Sequence, residues 1–252
     1  MRQVDRDLWV VDADHWMPGG VWFPVRMVVA RLPDGGLWLH SPVPIDDVLA
    51  QALEALGPVR TLVSPNLLHD AYLGPASTRW PEATVWAAPG LAGRRPDLRI
   101  DHVHGRDPAP WADVLTPFAL DGVPSVQETV FLHRPTRTLI CTDMVFHVHE
   151  APTWKSRLLF RIVGAWRRLR MSRTWWFLTR DRPALSASLA HLLTQDIRRV
   201  IPAHGEVVEE QARDRLDAAV RWQMSRAPVL PPVPVAGREE PAPGFDAGAG
   251  PR

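Results

Sequence analysis

The chain has 252 residues, enough for one sizeable α/β domain or at most two small ones. Its composition, 46% hydrophobic and 23% charged, is that of a folded globular chain, and a net charge of +1 excludes the strongly basic profile of a dedicated nucleic-acid binder. Cys141 is the only cysteine, which excludes an internal disulfide and fits a reducing, cytoplasmic setting; the N-terminus has no apolar signal-peptide core, and no run approaches the roughly 18 apolar residues of a membrane-spanning helix.

In chain order, "LWVVDAD" (8–14) and "VRMVVARL" (25–32) read as strands, and "PDGG" (33–36) as a hairpin turn leading into "LWLHSPV" (37–43). Ile45, Val48, Leu49, Ala52, Leu53 and Leu56 recur at helical spacing, and Gly57-Pro58 ends that helix. "VRTLVSP" (59–65) and "ATVWAAP" (83–89) are the next strands, with a short one at "LRIDHV" (98–103). "LTPFALDG" (115–122), "ETVFLHR" (128–134) and "RTLICTD" (137–143) form a second antiparallel set. "PALSASLAHLLTQ" (183–195) is an amphipathic helix, "RRVIPAHGEVV" (198–208) a strand and turn, and "EEQARDRLDAAVRWQM" (209–224) a closing helix. A strand-rich half, interposed helices and a second strand-rich half indicate one α/β domain over 1–226, followed by a disordered Pro/Gly/Ala-rich tail over 227–252.

Polar groups gather just past the ends of apolar strands: His69 and Asp70 after "TLVSP", Asp143 after "TLICT" and His204 after "RVIPA", with Glu128 at a strand start. In a sandwich of sheets such positions share a rim, and imidazoles with carboxylates from distant sequence there make a metal or acid/base site. Each residue also has a structural reading. His69-Asp70 can cap a following helix, Asp143 can make an Asx turn, and His204 can bond backbone in a turn. His147 and His149 in "FHVHE" form an H-x-H pair that reads more readily as a surface loop than as a ligand set, and His102 and His104 make a weaker case still. Cys141 reads as a buried strand residue.

"PNLLHD", "LICTDMVF" and "IPAHG", in that order, resemble the landmarks of the metallo-β-lactamase fold, an αββα sandwich, with Thr142 where that family has glycine. More narrowly, "RMVVARL", "LWLHSPV", "PNLLHDAYL", "ETVFLHRPTRTLICTDMVF" and "IPAHG" together resemble a bacterial family described as a domain of unknown function, number 4336. The resemblance implies a metal-dependent hydrolase of reduced ligand set. Asn66, Leu68 and Ala71, or in the other register Pro65 and Leu67, occupy the family's early histidine slots, and 123–125 holds no middle histidine. It therefore implies one Zn, Fe or Mn ion on His69, Asp70, Asp143 and His204, or none, with Asp70 or Glu128 as acid/base and a small-molecule substrate that no motif specifies. The alternative is a non-catalytic descendant of the fold that serves as a binding or interaction module.

The segment 154–180 stands apart, with one lysine, seven arginines and no acid among Trp, Phe, Leu and Ile. It reads as a helical pattern packed on the sandwich with arginine heads in solvent. "TWWF" (174–177) needs a cover, however, and a membrane surface, a homodimer contact or a substrate lid would each supply one.

Overall fold

Period-two alternation along the strands sorts the apolar side chains of this chain, a computed structural model that describes residues 1–224, into separate cores. The tail expected to be disordered, 227–252, lies outside the described residues. In β1 (Arg2–Asp5), β2 (Leu8–Met17), β3 (Val21–Arg31), β4 (Leu37–His40), β5 (Val59–Ser64), β6 (Thr84–Ala87) and β7 (His102–Val103), the strands pair in sequence order into a seven-stranded sheet. It is antiparallel through β4 and parallel from β4 to β7. β8 (Leu115–Ala119), β9 (Thr129–His133), β10 (Thr138–Cys141) and β11 (Arg199–Pro202) form a second sheet, in which β10 and β11 run parallel.

Val10, Val28, Trp38, Val63, Trp86, Phe131, Ile140 and Ile201 point between the sheets. Their sequence neighbours Val11, Met27, Leu39, Leu62 and Val85 face outward, where α1 (Asp47–Glu54), α2 (Leu73–Arg79) and α3 (Leu91–Arg94) cover the first sheet. Val130, Leu132, Leu139 and Val200 face the other way. They pack under α6 (Arg182–Leu192) and α7 (Ala212–Met224), which follow α4 (Trp154–Ile162) and α5 (Thr174–Leu178) in the chain. Because helices cover both outer faces, β10 and the ends of β5 and β6 are buried on both sides, as in Leu62-Val63, Val85-Trp86-Ala87 and Leu139-Ile140-Cys141. The result is a four-layer α/β/β/α sandwich, with its strand ends on a shared rim.

Several local expectations change. Only His102–Val103 of the 98–103 run pairs with the sheet. The 154–180 segment is two short helices. Gly164, at φ +82°, stops α4, and 165–171 then leaves the helix to bridge Phe146 to Arg170 and Val148 to Trp166. Trp175 of "TWWF" is buried, whereas Phe177 is 82% exposed. His69 and Asp70 cap no helix by their side chains, since α2 begins at Leu73 with Tyr72 as its N-cap residue. No helix among the described residues is long and apolar enough to cross a membrane.

Candidate metal centre

Three strands end at the same place. β5 leads to His69, β10 to Asp143 and β11 to His204, and their side chains converge. His69 Nε2 lies 3.2 Å from His204 Nε2, 3.3 Å from Asp143 Oδ2, and His204 Nε2 lies 3.3 Å from Asp143 Oδ1. They form the floor of a cavity of about 510 Å³ with mostly apolar walls, among them Phe23, Val25, Leu68, Phe146, Leu159 and Val163.

Each member of the triad is held from behind. Asn66, fully buried after β5, accepts from the backbone N–H of Leu68 (2.8 Å) and His69 (2.9 Å) through Oδ1, shaping the turn that presents His69. Its Nδ2 donates to Asp143 Oδ2 (2.8 Å) and to Thr142 Oγ1 (3.0 Å). Ser41 Oγ sits 2.7 Å from His69 Nδ1. His204 Nδ1 donates to the Pro24 carbonyl (2.7 Å), and its ring stacks on Phe146 at 4.7 Å. Trp175 Nε1 donates to the Asp143 carbonyl (2.8 Å). Behind His204, Gly205 is at φ +104° with the His147 carbonyl 2.0 Å from where a Cβ would stand, so no other residue fits.

The tautomers follow from these partners. The Pro24 carbonyl can only accept, so the neutral His204 ring carries its proton on Nδ1 and aims an Nε2 lone pair into the cavity floor. Burial works against ionisation of Asp143; the charge and Nε2–H bonds of His69 and His204, present when those rings are protonated rather than offering lone pairs, outweigh it and lower the carboxyl. A tetrahedral ion with metal–N and metal–O bonds of roughly 2.0–2.1 Å separates neighbouring donors by about 3.3 Å. His69 Nε2 and His204 Nε2 stand about one such edge apart, and each faces a different oxygen of Asp143, Oδ2 and Oδ1, at 3.3 Å; two imidazoles with one carboxylate suit Zn²⁺, Fe or Mn²⁺.

Of the residues singled out from the sequence, His69, Asp143 and His204 are therefore brought together, and Asp70 is not. Asp70 turns away from the triad into an ion pair with Arg95, which also clamps Asp97. Adjacent residues in a turn point in different directions, and the guanidinium captures this one. Glu128 is fully buried beyond the triad, where Oε1 accepts from Thr142 N (2.7 Å) and Oγ1 (2.9 Å). Burial, and then the charge of Asp143, push its carboxyl up to about 8. It does not line the cavity; besides its direct electrostatic coupling to Asp143, it is linked to that carboxylate by hydrogen bonds through Thr142 and Asn66.

A second group overturns the expectation of a surface loop at "FHVHE". His147 is buried, and the segment runs parallel to 204–206, with His147 N donating to the His204 carbonyl (2.9 Å). His147, His149 and Glu206 lie close enough to hold an ion. Arg215, however, donates to His147 Nε2 at 2.9 Å, so a fixed positive charge already occupies that lone pair. His104 lies in the inter-sheet aromatic core against Phe131 and Trp111, and burial lowers it to about 4.

Residues 6–158 match the model of a family described as a domain of unknown function, DUF4336. The chain belongs to the DUF4336 family. No curated protein matches this DUF4336 chain. Among solved structures it is similar to the DIM-1 metallo-β-lactamase exposed to ceftazidime, with a TM-score of 0.62 at 11% identity over 88% of this chain and 95% of that one. It is also similar to the FIM-1 metallo-β-lactamase from Pseudomonas aeruginosa in its mono-zinc form (TM-score 0.61, 12% identity, 89% and 94% covered). A metallo-β-lactamase from Erythrobacter litoralis with β-mercaptoethanol in its active site gives 0.62 at 13% identity over 87% and 95%. The fold is thus the metallo-β-lactamase-like αββα sandwich.

Asn66, Ser41 and Trp175 join the site from outside the sequence candidates. Asn66 had a legible signal, since a Pro-Asn pair just after an apolar strand marks a side-chain-capped turn. Ser41 and Trp175 had none, because each reaches the site only through tertiary contact.

Proposed function

We propose that this protein is a metal-dependent hydrolase that works with a single ion on His69, Asp143 and His204. The observation that carries this reading is the convergence of His69 Nε2 and His204 Nε2, 3.2 Å apart, on the two carboxylate oxygens of Asp143, 3.3 Å from each, at the floor of an apolar cavity. When bound, the ion would supply a Lewis acid that polarises water and the bond to be cleaved. The chain's own residues do the rest. Asp143 provides the ionised carboxylate, aimed by Asn66, while Trp175 anchors its backbone carbonyl. Ser41 and the Pro24 carbonyl set the ring orientations of His69 and His204. Phe23 and Phe146 flank His204 and exclude water from its ring faces. On the cavity wall, Tyr72, the chain's single tyrosine, shares a hydrogen bond of 3.0 Å with His15 Nδ1 and offers its hydroxyl to a bound substrate. Glu128 is a positioning residue in this reading, and Asp70 has no part in the chemistry.

Elemental analysis of protein purified without chelator tests the reading. Near-stoichiometric metal that disappears in His204→Ala and Asp143→Ala supports it. Metal-free protein whose melting temperature is unmoved by added Zn²⁺, Mn²⁺ or Fe²⁺ overturns it and leaves the binding-module alternative.

A further inference from the structure

α4 wears two apolar faces. Leu159 and Val163 line the cavity, while Trp154, Leu158 and Ile162, one helical turn apart, point outward at 64%, 47% and 59% exposure. Two neighbouring elements extend the outward face. The β2–β3 hairpin tip is tied to α4 by Lys155 Nζ donating to the Gly19 carbonyl (2.7 Å) and by Trp22 N donating to Ser156 Oγ (2.7 Å). That tip carries exposed Trp16 and Met17. α5 joins through Arg173, whose N–H and guanidinium donate to the Val163 and Ile162 carbonyls, and it carries exposed Phe177. Six large apolar side chains therefore stand in water on three linked elements. The same three elements wall the cavity through Met17, Leu159 and Thr174.

The segment that supplies α4 and α5 carries charge of one sign, although Asp14 on β2 and Glu150 ahead of α4 are exposed nearby. Lys155, Arg161, Arg167, Arg168 and Arg173 are exposed within a segment, 154–180, that has no acid. A two-fold contact with a second copy would set this segment against itself and oppose arginines to arginines. An anionic bilayer answers both features, because Trp, Leu, Ile and Phe enter the acyl boundary while arginines and lysine stay among the headgroups. We infer that the face made by α4, α5 and the β2–β3 hairpin tip docks on an anionic lipid surface. The metal-site cavity then opens beside the bilayer, and its apolar walls suit the chain of a membrane-resident amphiphile; this last step alone rests on the hydrolase reading above.

Co-sedimentation of the full chain with vesicles decides the matter. Vesicles of phosphatidylcholine mixed with phosphatidylglycerol should pellet the protein, pure phosphatidylcholine should pellet far less, and added salt should release it. Arg161→Glu/Arg167→Glu/Arg168→Glu should weaken binding by about a hundredfold, at roughly fivefold per cation, whereas the matching Arg→Lys variant should retain it. Trp154→Ser/Leu158→Ser/Ile162→Ser should lose binding with an unchanged melting temperature and metal content, the residues being exposed. Wild-type protein that ignores anionic vesicles overturns the proposal. So does a dimer in sedimentation velocity that the Trp154/Leu158/Ile162 variant converts to monomer without any vesicle binding by the wild type. Since sedimentation requires neither metal nor turnover, a failure here leaves the hydrolase reading standing, and a metal-free protein that still binds vesicles leaves this one standing.

Discussion

Two histidine–carboxylate groups lie back to back where 143–149 passes 204–206. In one, His69, Asp143 and His204 aim their donor atoms at a shared point on a cavity floor. In the other, His147, His149 and Glu206 are as close together, and His147 Nε2 lies 2.9 Å from His149 Nε2. The difference lies in what surrounds them. Around the first, the Pro24 carbonyl accepts from the far nitrogen of His204, Asn66 donates to the Asp143 carboxylate and Trp175 to its backbone carbonyl, and no guanidinium among the described residues is bonded to the three. Beside the second stands Arg215, a permanent cation that donates to the lone pair a metal would need. Proximity of ligand atoms is therefore not sufficient; the charge and hydrogen-bonding sense of the next ring of residues decides between them.

The largest expected effect follows directly. His204→Ala or Asp143→Ala should reduce bound metal from about one ion per chain to near none, while His149→Ala leaves it unchanged, as measured by elemental analysis of the purified proteins. Equal losses in all three would erase the distinction between the groups. Conversely, Arg215→Ala removes the competitor and should raise the capacity by up to about one ion, seen as a second phase in a Zn²⁺ titration. A single phase would show that geometry, rather than the guanidinium, closes the second group.

Asn66→Ala probes the support of the first group. Loss of the contacts to Asp143 Oδ2 and to the His69 turn should weaken metal affinity about 10- to 100-fold, read by competition with a chromophoric chelator. An unchanged affinity would mean that Ser41 and Trp175 hold the triad without it.

Histidines outside both groups supply a control on pH. His104 is buried and lowered to about 4, so the native chain resists a proton that the unfolded chain binds near 6.5. The unfolded state thus binds more protons between these values, and stability present above about pH 6.5 is lost as pH falls toward 4. At pH 5 the cost is on the order of 2 kcal/mol, and His104→Phe, which keeps the ring packing against Phe131 and Trp111, should flatten that part of a melting-temperature profile. An unaltered slope would move the acid sensitivity to other groups.

Asp70→Asn should do least. Its pair with Arg95 is a solvent-screened surface contact, so neither the melting temperature nor the metal content should change measurably. A loss of metal in this variant would return Asp70 to the ligand set.

The sequence by itself determined the order of strands and helices and which side chains share a face, because neighbours alternate along strands such as 25–32 and 137–143 whatever their partners are; the two-sheet sandwich was what the resemblance to the metallo-β-lactamase fold implied. It also placed His69, Asp143 and His204 at the ends of apolar strands, and strand ends of parallel pairs meet on one rim. Tertiary structure alone decided which of those groups meet. Asp70 is adjacent to His69 in the chain, yet it faces Arg95, twenty-five residues away. His147 reads as a loop residue until Gly205 allows its backbone to lie against 204–206. The physical reason is the same in each case: local sequence sets where a backbone ends and turns, whereas a side chain's direction and partners are set by whichever distant charge, ring or carbonyl packing brings within hydrogen-bond reach.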